Sequence, residues 1–247
     1  MRVVDLTLPV RSGAAGIPGI ALYEKHPARV AAATVVNDEQ RAFLAATGVE
    51  MLEGAPAVGH MNTVINLVSH LGTHIDAPRH FYAQGTPVDE LALDRLVACR
   101  AVLLDVSDLA AGEGITGDDL ERCKVRPAAG EIAVIRTGWT DRAWGTPEYW
   151  SNTMYLDPSV GEWTRQFDLA AVGFDCFPEK PFWRFTLQAN ERGANHRCWL
   201  GAGIPMIQML TNLGTLGLGA GERFTLTALP LRLAGMDGSP ARVVGIV

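Results

Sequence analysis

The stretch Ser69-His70-Leu71-Gly72-Thr73-His74-Ile75-Asp76-Ala77-Pro78-Arg79-His80-Phe81 holds three of the six histidines of a 247-residue chain. Uniform scatter would place about 0.3 histidines between residues 70 and 80. His70, His74, Asp76 and His80 are spaced by 4, 2 and 4 residues. On a helix His70 and His74 would share a face, but Asp76 would point about 240° away from His70. On an extended chain every one of these intervals is even, so all four side chains project to one side. Gly72 and Pro78 also disfavour a helix. An extended strand end running into a turn is therefore expected, presenting imidazoles and a carboxylate together as ligands for a divalent metal. The competing reading is a polar strand edge whose histidines satisfy local backbone groups. Three histidines and an aspartate at even spacing favour the metal. Gly72 would let the backbone approach closely, and Thr73 would orient a ligand from behind.

Working outward, composition mostly excludes. The chain is 48% hydrophobic and 19% charged, with a net charge of -6 and no basic run, which argues for a globular protein and against a nucleic-acid partner. Cys99, Cys123, Cys176 and Cys198 form no C-x-x-C pair, so they read as free thiols in a reduced compartment. The opening MRVVDLTLPV places Asp5 where a signal peptide would need an apolar core, so a cytoplasmic protein is expected. Cys198 to Gly221 carries no charge over 24 residues, but its six glycines, Pro205 and Asn212 suit a buried helix and a glycine-rich turn better than a membrane span. Gly217, Gly219 and Gly221 do not have dinucleotide-binding spacing.

Strands are expected at Arg2–Thr7, Thr63–Val68, Ala101–Val106, Ile132–Thr137, Ala171–Phe174, Phe224–Leu231 and Val243–Val247. Helices are expected after Asn37, with Gln40 completing a capping box, after Thr116, from Pro158 toward Phe167, and over Arg197–Leu210, where Pro205 would break or kink the last one. Long connections at 8–36, 77–96, 138–156 and 176–195 are the working loops of a single α/β domain covering residues 1–247.

The pattern H-x-G-T-H-x-D-x-P-x-H, His70 to His80, resembles the signature of the metal-dependent cyclase-like hydrolases, which include bacterial kynurenine formamidase and isatin hydrolase. Further matches are VVDLTLPV near the N-terminus, RTGW at Arg136–Trp139 and NHRCWLGAGIPMIQML from Asn195. The resemblance implies a mixed-sheet α/β fold of the swivelling β/β/α type, a homodimer or homotetramer, and hydrolysis of a non-peptide carbon–nitrogen amide bond. It implies His70, His74 and Asp76 as ligands, His80 beside the attacking water, and His196 near the metal. Formamidase-like members have a glutamate, helping to hold a second metal, where this chain has Gln208. One divalent ion per chain is therefore expected, manganese before zinc, with Gln208 either a fourth ligand or a satisfied buried polar group.

A metal ion at such a site lowers the pKa of water from 15.7 toward ~7 and polarises the substrate carbonyl. A histidine, ordinarily titrating near ~6.5, suits His80 to carry a proton from that water to the leaving nitrogen. Ring opening of a cyclic aryl amide such as isatin is the leading expectation, N-formylkynurenine hydrolysis the second, and a non-catalytic metal- or ligand-binding relative the third. A lyase or dehydratase is weaker still. Phe81 and Trp183, with Tyr82 and Phe185, are candidates for an aromatic substrate slot, though core packing competes for each. Arg79 or Arg184 could bind a carboxylate. His26 and His60 have no assigned role.

Overall fold

The computed structural model describes residues 1–14, 16–32, 38–51 and 63–247. It forms two compact units, Met1–Leu8 with Gly72–Val247, and Pro9–Leu71. The first is built on eight strands: β1 (Val3–Asp5), β2 (His74–Asp76), β3 (Cys99–Asp105), β4 (Ile132–Arg136), β5 (Ala171–Phe174), β6 (Met206–Gln208), β7 (Arg223–Pro230) and β8 (Gly238–Ile246). The apolar runs β3, β4 and β5 pair in parallel, and β5 pairs in parallel with β6. Almost every residue in β3 to β5 is buried, as expected of strands covered on both faces. In β7 buried residues instead alternate with partly exposed ones, the mark of a strand with one wet face.

The sheet closes. β8 pairs antiparallel with β7 over Ala241–Ile246 and with β2 over Gly238–Pro240, and β2 pairs antiparallel with β6. The order β8-β7-β3-β4-β5-β6-β2 therefore returns to β8, with β1 added alongside. Leu103, Val134, Ala171, Ile207, Leu226, Val243 and Ile75 fill the interior. At about 25 cal/mol per Å² of apolar surface, this burial is the main stabilising term.

Helix α1 (Gly117–Arg122) starts at the predicted Thr116, whose hydroxyl accepts from Asp119 N at 3.2 Å while Thr116 N donates to Asp119 Oδ2 at 2.7 Å. Helix α2 (Pro158–Thr164) starts at Asp157, which accepts from Ser159 N at 3.0 Å. The helix expected over Arg197–Leu210 is corrected: α3 spans Ala194–Gly201, and Met206–Gln208 is strand β6. Pro205 has no N–H to continue a helix. The chain stops at Ile204, whose N–H donates to Trp199 O at 2.9 Å, and re-emerges extended. Among the described residues no helix is long and apolar enough to cross a membrane.

In the second unit, Arg29–Ala32 lies between Glu50–Met51, paired in parallel, and Thr63–Asn66, paired antiparallel. Helix Asp38–Ala46 matches the predicted one, while its Asn37 cap and the Gln40 pairing lie outside the described residues. His26 ends the short helix Ala21–Lys25, its N–H donating to Leu22 O at 3.0 Å; His60 also lies outside the described residues.

Candidate metal centre

The first unit carries a buried polar group on β2 and its neighbours. His74 and Asp76, two apart on a strand, share a face. Asp76 is 0% exposed, a position that an aspartate occupies only when paired. Its partners come from three directions. His74 Nε2 lies 3.2 Å from Oδ1, His196 Nε2 lies 3.3 Å from Oδ2, and Gln208 Nε2 donates to Oδ2. Gln208 stands opposite His74 in the β6–β2 register, so its contact with Asp76 is the diagonal cross-strand one.

The protonation of the two rings follows from their other nitrogens. His74 Nδ1 lies 2.7 Å from Gly72 O, a carbonyl that can only accept, so Nδ1 carries the hydrogen. His196 Nδ1 lies 2.7 Å from Glu179 Oε1, which also accepts His196 N–H at 2.8 Å. In the neutral rings both Nε2 atoms are therefore lone pairs, and both face the same carboxylate. Such contacts require a positive charge between the partners. Burial works against a charged His196, but its hydrogen bonds to Asp76 and Glu179 outweigh that and push it up to about 9. The donor set thus suits a divalent cation: nitrogen lone pairs and carboxylate oxygen, with the rings held by outer hydrogen bonds. Asp76, His80 and His196 each offer a ligand atom, and these atoms lie within 4.8 Å of one another. Among the described residues the buried Glu179 Oε2 has no hydrogen-bond partner, a further anionic atom near this group.

Several expectations are corrected. The motif is not extended throughout: β2 ends at Asp76, the chain turns at Ala77, and His80 arrives on the 3-10 turn Pro78–His80. Pro78 pre-sets that turn. Gly72 is required by its φ of +65°, not by close approach, since a Cβ there would meet nothing within 4 Å. Thr73 does not orient a ligand; its hydroxyl accepts from Leu8 N at 2.8 Å and donates to Met209 O at 2.7 Å, tying backbone together. Arg184 donates to Thr153 O and Gly112 O, and Arg79 to Gly85 O and Gly235 O, so both guanidinium groups are committed to carbonyls. Gln208 presents its NH2, a donor, to Asp76, so a ligand role would need the amide oxygen turned inward.

Phe81 is the candidate aromatic that the structure brings to this group. Its ring stacks on His196 at 4.7 Å and meets His80 edge-on at 5.1 Å, with 40% of the residue exposed. Trp183 instead packs on Trp150, Phe177 and Phe182, and its indole N–H donates to Trp150 O. Tyr82 braces α3 through a hydrogen bond to Arg197 O, and Phe185 meets Tyr155. His70 belongs to the second unit, where its carbonyl accepts from Tyr23 Oη at 2.9 Å. Sequence reading missed Glu179 and Asp237, whose carboxylate Oδ2 is 3.2 Å from His80 Nδ1. The only hint was that Glu179 falls in one of the long connections.

Asn195 explains how α3 delivers His196. Fully buried, it donates to Pro178 O at 2.8 Å and Leu156 O at 3.1 Å and accepts from Gly161 N at 3.0 Å, pinning the helix start to α2 and to the segment holding Glu179.

Residues 4–178 match the Cyclase family. Kynurenine formamidase of Geobacillus thermodenitrificans is 29% identical over 178 residues, covering 72% of this chain and 76% of that one. The Bacillus thuringiensis kynurenine formamidase is 30% identical over 175 residues, covering 71% and 75%. Among solved structures, isatin hydrolase A from Labrenzia aggregata bound to benzyl benzoate superposes with a TM-score of 0.73 at 22% identity, covering 100% of this chain and 93% of that one. The chain belongs to the Cyclase family, as one of its hydrolases. Its mixed α/β fold is the one expected.

Proposed function

We propose that this protein is a metal-dependent hydrolase opening the carbon–nitrogen bond of a small aryl amide, with a cyclic amide such as isatin as first substrate. The observation that carries the reading is the convergence of two histidine lone pairs, each with its second ring nitrogen already engaged, on the fully buried Asp76 carboxylate. His74 and Asp76 would hold one divalent ion, manganese or zinc, together with His70, which stands four residues before His74 in the chain. Bound there, the ion would acidify water and polarise the substrate carbonyl.

The remaining steps belong to the side chains. His80, flanked by Phe81 and His196, takes a proton from the attacking water and passes it to the leaving nitrogen. The carbon–oxygen bond forms first, and the carbon–nitrogen bond breaks as the nitrogen takes up that proton. A cyclic amide then yields an amino-carboxylate, and a formamide yields formate and an amine. Phe81 offers a flat, half-exposed ring for a planar substrate. His196, its Nδ1 held by Glu179, keeps its Nε2 directed at the Asp76 carboxylate. A second reading, aryl formamide hydrolysis, is favoured by the identity to kynurenine formamidases over about seven-tenths of the chain.

The test is elemental analysis of the purified protein, with parallel assays on isatin and N-formylkynurenine in added manganese or zinc. One metal equivalent per chain, turnover of either substrate, and loss of rate in His80→Ala with the metal retained are expected. A His80→Ala variant as fast as the wild type would overturn the role given to His80. Absence of amide turnover would overturn the hydrolase reading.

A further inference from the structure

We infer that Asp237 is a positioning residue for His80, holding its ring in the tautomer that carries the hydrogen on Nδ1 and the basic lone pair on Nε2. This rests on the reading of His80 as proton carrier. Asp237 Oδ2 is 3.2 Å from His80 Nδ1, and an ionised carboxylate only accepts, so the hydrogen sits on Nδ1. His80 ends a one-turn 3-10 segment and is a quarter exposed, and the Asp237 carboxylate meets its ring at Nδ1.

The placement of the carboxylate is built into the barrel. Asp237 directly precedes β8, whose first residue Gly238 pairs with Asp76. Its backbone carbonyl accepts from Ala77 N at 3.0 Å, the residue that opens the His80 turn. One residue thus grips the backbone of the turn and the ring that the turn presents. The loop before it is fixed to the same segment: Val88 N donates to Met236 O at 2.9 Å, Arg79 Nη1 to Gly235 O at 3.2 Å, and Gly235 N to Asp89 Oδ1 at 2.8 Å. The Asp237 side chain therefore starts from a backbone tied by these hydrogen bonds to the segment that carries His80. Such supporting partners of functional histidines typically carry about 10–100-fold in activity.

Because the carbonyl rather than the carboxylate holds Ala77, Asp237→Ala keeps the turn. The experiment compares full-length, zinc-loaded wild type and Asp237→Ala by ¹⁵N NMR of the His80 ring at mildly alkaline pH, alongside kcat, KM, zinc content and thermal melting. The wild type should show a protonated Nδ1 and a lone-pair Nε2. In Asp237→Ala that signature should be lost and kcat should fall about 10–100-fold, with KM, zinc content and melting unchanged. Asp237→Glu should recover part of both signals. A wild-type ring protonated on Nε2, or a kcat unchanged in Asp237→Ala, would overturn the inference. If the wild type turns over no amide, the hydrolase reading fails, and the NMR comparison still decides whether Asp237 sets the ring.

Discussion

Asp175 gives a sharp prediction about stability and pH. Its carboxylate is fully buried just beyond β5 and is wrapped by the RTGW segment. Oδ1 accepts from Thr137 N at 2.6 Å and Thr137 Oγ1 at 2.8 Å, and Oδ2 accepts from Gly138 N at 2.8 Å. Gly138 can point its N–H there because it sits at φ +70°. Burial nevertheless dominates and, against these hydrogen bonds and with a small contribution from Asp141, pushes the carboxyl from its ordinary 3.8 up to about 6. The folded state therefore binds the proton more tightly than the unfolded chain. The stabilisation it contributes is complete below pH 3.8 and is lost as pH rises through about 6. At 1.36 kcal/mol per pH unit, that gap is worth about 3 kcal/mol. The neighbouring Tyr149 and Cys176 are both raised by burial and do not titrate in this range. Other carboxylates with the opposite slope, such as Glu131, are removed by comparing the protein with Asp175→Asn. Urea unfolding at pH 4 and pH 7 should show the wild type losing about 2 kcal/mol relative to Asp175→Asn, since part of the gap already closes below pH 4. A difference that is flat or rises with pH would refute the reasoning.

Three further outcomes are expected. Asn195→Ala strands the buried Gly161 N–H and Pro178 carbonyl, and at about 1–3 kcal/mol for each buried group it should lower the urea-derived stability by about 2–6 kcal/mol; a loss under about 1 kcal/mol would contradict the pinning of α3. Chelation should remove the ion's contribution, about 2.7 kcal/mol at a hundredfold excess over Kd, and lower Tm by about 5–10 °C at ~2–4 °C per kcal/mol; an unchanged melt would argue against a metal seated on Asp76. Titration of the wild type should saturate at one metal per chain, and Gln208→Glu, which turns a donor toward Asp76 into a carboxylate, should raise the stoichiometry toward two; two equivalents in the wild type would overturn the mononuclear reading.

How much of this was readable in the chain differs by element. Ala171–Phe174 announced itself as a strand because a parallel, doubly buried strand is a plain apolar run. Met206–Gln208 did not, since a three-residue strand in an apolar stretch carries no period of its own and exists through pairing with β5 and β2. Gly238–Pro240 was missed for a similar reason: Gly-Ser-Pro has poor strand propensity and is held extended by β2. In the site, spacing two apart was enough to pair His74 with Asp76. Glu179 and Asp237 left no such trace, because their partners lie 17 and 157 residues away along the chain.

The closure of the sheet dictates when the site can come into being. The strand bearing His74 and Asp76 gains its β8 neighbour only when residues 238–240 are available, more than 160 residues later. During synthesis at roughly 5–20 residues per second, that interval is about 10–30 s. For most of it β2 lacks both flanking strands, because β6 is not made until residues 206–208, and throughout it His80 lacks Asp237. The group on Asp76 therefore cannot be complete until the strand that begins beside Asp237 has been made.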